Sequence, residues 1–343
     1  MGPHAALHID YAPLDDVRLR PHGWWQDILG AICFGGSPEP LSPAPEDVPL
    51  ARIGAQVLAA GHGIVELWRV RGPKQSGWHR RVQYRRHGQL LFACLQVAEQ
   101  DFQPGPGDLQ GDTLWHATAA AYRELFEALA ALGHAHPVRI WNFMPHINGA
   151  TADGERYFHF NDARRSAFVG ARRSIAGNVP AASALGLPCS SPLTVYCIAA
   201  ARAPIALENP RQRSAWDYPR QYGPTSPTFA RACIESGSGD TLFISGTASI
   251  VGHVTAHPGD ARAQTLETLR NIRAVLAAAN ARVAAARYAM DRLRYKVYVR
   301  RAEDLPTIDS ELRGQIGHNA PVLYVQADIC RGDLLLEIEA VGF

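Results

Sequence analysis

Apolar and polar positions along the chain fall into two successive runs of elements with the same order. Three stretches with strand patterning come first: 63–70 (GIVELWRV), 79–86 (HRRVQYRR) and 89–97 (QLLFACLQV), the last two joined at His87-Gly88. FQPGPGDLQGD then interrupts the pattern. Leu114, Tyr122, Leu125, Leu129 and Leu132 recur at helical spacing and predict a helix over 113–132. A strand at 138–145 (VRIWNFMP), a helix at 157–175 and a strand at 193–200 (LTVYCIAA) follow. The second run opens with two strands, FARACIES and TLFISGTASIVG, split by a Gly-Ser-Gly-Asp turn. A long helix starts after HPGD, with Asp260 as its N-cap and an apolar face of Leu266, Leu269, Ile272, Leu276 and Val283. A strand (RYKVYVRR, 294–301), a short helix (305–316), a strand (PVLYVQADI) and a closing strand (LLLEIEAV) complete it.

This repetition predicts an α+β fold of two related halves, each a mixed sheet with helices packed on one face. The expected divisions are a loop-rich N-terminal segment (1–60), a first half (61–205) and a second half (206–343). GGSPEPLSPAPEDVP at 35–49 is the clearest loop.

Composition excludes several function classes. Of 343 residues, 47% are hydrophobic and 19% charged, so a large core needs no disulfide or metal staple. The net charge of +2 and basic pairs scattered without aromatic interleaving give no nucleic-acid footprint. No apolar run reaches membrane-spanning length, and the N-terminus lacks a signal-peptide pattern, which predicts a cytoplasmic protein. Six cysteines without a CxxC pair read as reduced thiols. His253 and His257 are four apart, but Pro258 denies them a helix, so no metal site is expected. GTASIVG is not the G-x-S-x-G of a nucleophile elbow. Without a GxGxxG or GK[ST] motif, no cofactor is expected either.

One stretch combines apolar patterning with chemistry: ADICRGDLLLEIEA, 327–340. Gly332-Asp333 predicts a type II′ hairpin turn. Cys330 would then pair with Leu335 and Asp328 with Glu337, placing Asp328, Cys330, Leu335, Glu337 and Glu339 on one face. A carboxylate opposite another, and partly buried, keeps its proton near neutral pH and becomes a general acid. The same face, if solvated, would simply be the outside of a hairpin.

GERYFHFNDARR (154–165), SAWDYPRQYGPTSPTFARA (214–232), FISGTASIVGHVTAHPGD (243–260) and the terminal segment with Cys330 and Glu337 resemble the chorismatase family, over most of the chain from about residue 60. Within it, the chain is most similar to the bifunctional branch that forms 3- and 4-hydroxybenzoate for pigments and quinones in some Gram-negative bacteria. The resemblance implies two RidA/YjgF-like (chorismate-mutase-like) halves and chorismate as the small-molecule partner. It implies Glu337 as the acid that protonates the enolpyruvyl methylene, and Cys330 as the residue that marks the 3-hydroxybenzoate branch. Gly246 or Ala248 falls near a second branch-dividing position. Arg164, Arg220 and Arg231 are candidates to grip the substrate carboxylates, Tyr157, Tyr218 and Tyr222 to hydrogen-bond it, and Phe229 to pack on its ring. Cys330 could exclude water, relay a proton or add to the ring. Competing expectations are a hydrolytic chorismatase giving a dihydroxycyclohexadiene carboxylate, a RidA-type imine deaminase, and a non-catalytic small-molecule binding protein. The expected assembly is a monomer or weak homo-oligomer.

Overall fold

The two halves repeat one strand order so closely that one describes the other. The computed structural model describes residues 7–35, 45–102, 112–152, 154–188, 191–237, 239–283 and 288–343. Cys189, most of the 35–49 loop, most of the 102–112 break and Ser238 of the Gly-Ser-Gly-Asp turn lie outside the described residues. An N-terminal sheet comprises β1 (His8–Pro13), β2 (Ile28–Phe34), β3 (Leu50–Ile53) and, beyond the two-residue β4 (Val57–Leu58), β5 (Ile64–Arg69), in the order β1-β5-β2-β3. The first half contributes β6 (Gln75–His79), β7 (Val82–His87), β8 (Leu90–Val97), α1 (Thr113–Ala131), β9 (His136–Pro145), α2 (Arg156–Gly170), β10 (Ala181–Leu187) and β11 (Leu193–Ala200). The second contributes β12 (Ile205–Leu207), β13 (Ala232–Glu235), β14 (Thr241–Thr247), α3 (Ala261–Asn280), β15 (Arg294–Val299), α4 (Leu305–Ile316), β16 (Val322–Gln326), β17 (Asp328–Ile329) and β18 (Leu336–Gly342).

The sheet orders are β6-β7-β8-β11-β9-β10 and β12-β13-β14-β18-β15-β16, with one parallel pair in each, β9/β10 and β15/β16. Each sheet gains a seventh strand from elsewhere, β17 beside β10 and β4 beside β16. The α+β class with two related halves is therefore what the chain adopts.

Helices cover one face of each sheet. Leu114, Ala121 and Leu125 of α1 pack on Leu91, Ala93 and Val195, and Leu269, Ile272 and Leu276 of α3 pack on Val297, Ile338 and Ala340. Asp112 and Asp260 cap the two long helices through Trp115 N (3.0 Å) and Ala263 N (2.9 Å), each cap contributing about 1 kcal/mol. The helix-free faces of both sheets meet the N-terminal sheet in a central core that includes Phe34, Trp68, Trp141, Tyr196, Phe243 and Tyr298.

Three local expectations need correction. The strand expected at 79–86 is the hairpin β6/β7 turned at Arg80, which has φ 53°. The 1–60 segment, expected to be loop-rich, carries β1 to β4; β2 (ILGAICF) is buried at every position, and a strand covered on both faces shows no alternation. The terminal segment is not a hairpin. Leu334 N does bond to Arg331 O (3.2 Å), but Gly332 lacks the positive φ of a type II′ turn. Its arms diverge: Asp328 pairs with Gly186 of β10, and Glu337 pairs with Tyr298 of β15. Arg300 holds the arms apart, binding Asp328 (2.6 Å) and the carbonyls of Ile329, Arg331 and Leu334. Asp328 and Glu337 are thus not partners, and the chain crosses from one sheet to the other.

Candidate active site

That crossing closes a cavity of about 290 Å³ between the two halves. The helix α2 presents Tyr157, Asn161 and Arg164, spaced for one helical face. β10 adds Ser183, the 215–231 loop adds Tyr218, Tyr222, Phe229 and Arg231, β14 adds Gly246, and Ala248 follows it. Cys330, Arg331 and Glu337 complete the wall. Ten of the eleven residues singled out in the sequence therefore line one cavity. Arg220 does not: it opens the 3-10 turn Arg220–Tyr222 with its side chain exposed, while half-buried Tyr222 lines the cavity and Gln221, also exposed, borders it.

Four residues escape the sequence. Arg331 was hidden by the assumed hairpin geometry. Asn161 stands at helical spacing between Tyr157 and Arg164, so that signal was available. Ser183 lies in AASALGL, whose small residues carry no strand pattern. Asn142 sits in a strand buried along nearly its whole length, where an amide does not stand out.

Each guanidinium is fixed by part of its fork and keeps at least one nitrogen without a partner among the described residues. Arg164 donates Nε to the Tyr122 hydroxyl (2.7 Å) and Nη1 to the carbonyl of Thr228. Arg231 donates Nη2 to Arg213 O (2.7 Å) and to the Tyr218 hydroxyl (2.8 Å). Arg331 stacks on Tyr222 with its guanidinium carbon 3.8 Å from the ring centroid, and donates Nη1 to His253 O (2.9 Å). Arg164 Nη2, Arg231 Nε, Arg331 Nη2 and Asn161 Nδ2 are buried without a hydrogen-bond partner among the described residues. Unmet buried donors of this kind cost free energy unless a ligand accepts them.

Facing them, Glu337 Oε1 is also buried without a partner. Burial first, and the charge of Glu339 second, push this carboxyl up to about 8, against the lowering pull of Arg139, Ser183 and Arg231. Glu337 is therefore protonated at neutral pH. Half-buried Cys330 is pushed up to about 12 by its apolar surroundings and then by Glu337, so it holds a neutral thiol. Burial, and the proximity of Cys330, likewise keep the Tyr157 phenol neutral. Gly246 makes room for the acid: a Cβ there would stand 1.8 Å from Glu337 Oε1. With Glu337 neutral, the guanidinium groups of Arg164, Arg231 and Arg331 outnumber the other acids of the wall, Glu155 and Asp333, an arrangement suited to a small anion beside a proton donor.

A duplicated α+β scaffold with a buried carboxyl set among guanidinium groups is suited to binding a small carboxylic acid beside a proton donor. The family model "Chorismatase FkbO/Hyg5-like, N-terminal" matches residues 66–199. A 3-hydroxybenzoate synthase of Streptomyces hygroscopicus is 36% identical over 295 residues, 83% of each chain. A chorismatase of Streptomyces rapamycinicus is 36% identical over 283 residues, 80% of this chain and 81% of that one. A chorismatase crystal structure superposes over 100% of both chains with TM-score 0.86 and 28% identity. The chain belongs to the chorismatase family. No helix among the described residues is long and apolar enough to cross a membrane.

Proposed function

We propose that this protein converts chorismate to pyruvate and 3-hydroxybenzoate, with 4-hydroxybenzoate as a further product. The observation that carries the proposal is the protonated Glu337 facing three guanidinium groups with unmet donors. Chorismate has two carboxylates to satisfy such donors and an enol ether that a general acid activates. Glu337 delivers its proton to the enolpyruvyl methylene, and positive charge develops on the ether carbon and oxygen. The neighbouring ring hydroxyl attacks the ring carbon that bears the ether and gives up its proton, which restores the Glu337 carboxyl. That C–O bond breaks, its electrons complete the pyruvate carbonyl, and an epoxide forms. Opening of the epoxide and loss of the ring proton restore aromaticity. Substrate and products balance without water or a redox partner.

A neutral Cys330 thiol supports two of the three roles open to it, excluding water and relaying a proton, because addition to the ring needs a thiolate. The cavity also supports roles for Arg164, Arg231 and Arg331 on the carboxylates, with Phe229 against the ring.

Incubation with chorismate, with pyruvate followed by a coupled lactate dehydrogenase assay and aromatic products by chromatography, tests the assignment. Absence of pyruvate release overturns it; a dihydroxycyclohexadiene carboxylate with one oxygen from water moves the protein to the hydrolytic branch. Cys330→Ala is expected to shift products away from 3-hydroxybenzoate, while total pyruvate release falls less than about tenfold, ~1.4 kcal/mol. An unchanged ratio leaves the thiol a packing role only. Arg331→Gln removes one charged donor and is expected to raise KM about 10- to 100-fold, as loss of a ~1.5–3 kcal/mol charge-assisted bond requires. Steady-state kinetics on chorismate measures this, and an unchanged KM removes Arg331 from substrate binding.

A further inference from the structure

Behind the cavity lies a buried ionic cluster drawn from all three sheets. Lys296 of β15 bridges Glu66 of β5 (2.6 Å) and Glu339 of β18 (2.9 Å). Arg139 of β9 pairs with Glu339 at 2.7 Å. Trp68 Nε1 donates to Glu66 and Trp141 Nε1 to Glu339, each at 2.8 Å. Relative exposure does not exceed 4% for any of the four charged residues. The formal charges of two acids and two cations cancel; burial raises the Glu66 carboxyl, and Lys296 beside it pulls it back.

Glu337 is the acid left over. It lies two residues from Glu339 on the same face of β18. The groups that face it are Glu339 from its own strand, Arg139 from β9, Ser183 from β10, Tyr157 and Arg164 from α2, Tyr298 from β15, and Arg231, Cys330 and Arg331 from the connecting segments. Ser183 stands between the two acids. It donates its proton to Glu339 (2.8 Å), and its oxygen accepts from Arg139 (2.5 Å) and from Gly246 N (3.0 Å). The Ser183 hydroxyl is close enough to Glu337 to lower its carboxyl, but its one proton goes to Glu339.

We propose that Glu339 is a positioning residue that keeps Glu337 protonated, and that the Glu66–Lys296 pair, reaching in from the N-terminal sheet, holds Glu339 in its charged state. Glu339 collects donors from Lys296, Arg139, Trp141 and Ser183 and stays ionised. Glu337 meets burial and the fixed negative charge of Glu339, which together outweigh the pull of Arg139, Ser183 and Arg231. Arg139 is already paired with Glu339, and no guanidinium donates a hydrogen bond to Glu337 Oε1 among the described residues. The N-terminal sheet thus belongs to the catalytic apparatus through electrostatics, without touching the cavity.

The inference rests on Glu337 as the acid, so its test reads protonation separately from turnover. In protein labelled with 13C at glutamate carboxyls, the Glu337 signal is assigned by its loss in Glu337→Gln and titrated. Glu339→Gln removes a negative charge and leaves Arg139 and Lys296 in excess. The Glu337 midpoint is then expected to move toward acid by about one pH unit or more. The descending limb of the pyruvate-release profile should follow it. Trp141→Phe removes a donor that keeps Glu339 ionised and lies outside the cavity wall, so the Glu337 midpoint moves the same way, toward acid, by a smaller amount; it decides the matter if Glu339→Gln does not fold. An unmoved midpoint, or a shift of the opposite sign, in either folded variant overturns the role of Glu339. Midpoints that move as expected while the rate profile stays put would keep that role and remove Glu337 as the acid.

Discussion

Glu337→Gln is expected to lower the rate of pyruvate release about 10³- to 10⁴-fold while KM for chorismate changes little, since a positioned general acid contributes up to that much to a rate. The amide is close to the carboxyl in shape and has hydrogen-bonding groups, but no acidic proton to give to carbon. The guanidinium groups that would hold the substrate are untouched, and binding persists. The pH dependence carries the same signature. Only protonated Glu337 is competent, so the wild-type rate falls as pH rises through about 8. Stability follows with a definite sign. The folded-state carboxyl titrates above its unfolded value of 4.5, so stability from this group is full below that value and is lost as pH rises through about 8. The glutamine variant does not titrate there, and its melting temperature relative to wild type should rise between pH 5 and pH 9. Undiminished pyruvate release by the variant would remove Glu337 from the chemistry.

What was legible in the sequence follows from which signals are local. Helix α1, α3 with its Asp260 cap, and α4 over 305–316 are written in apolar spacing and, at Asp260, in capping chemistry; the structure matches their starts, although α3 ends at Asn280, short of Val283, and the Asp112 cap was not read. The duplicated plan was visible because each half spells it out in order. β2 and β10 were not, because one is buried on both faces and the other is built from small residues. The terminal segment shows a subtler failure. Cys330 and Glu337 do share a cavity, but not because a hairpin pairs their strands. Arg300, thirty residues upstream, steers Asp328 into one sheet while Glu337 stays in the other. The acid that raises Glu337 is Glu339 and not Asp328, a long-range consequence of where Lys296 and Arg139 end up. Turn chemistry read locally cannot show which sheet an arm will join.

Gly246→Ala is the second change expected to have a large effect, and it acts through one methyl group. Gly246 lies where the β14/β18 register shifts between Ile244 and Thr247, a bulge that lets a side chain from β18 cross the β14 backbone. That side chain is Glu337. An added Cβ would stand 1.8 Å from its Oε1, 2.4 Å from its carboxyl carbon and 2.8 Å from Ser183 Oγ. The backbone does not need glycine for its own sake, since φ is not positive there. Alanine therefore fits the strand and evicts the acid. Misplacing a reacting group by about 1 Å costs on the order of 100-fold, so pyruvate release should fall at least that far. Overpacking of this size lowers stability by about 1–3 kcal/mol, which leaves a folded protein to assay. The loss should not add to that of Glu337→Gln, because both changes remove the same proton donor. Kinetics of the two single variants and the double variant test the point: a Gly246→Ala enzyme with wild-type turnover, or full additivity in the double variant, would mean that the acid does not sit against this glycine during the reaction.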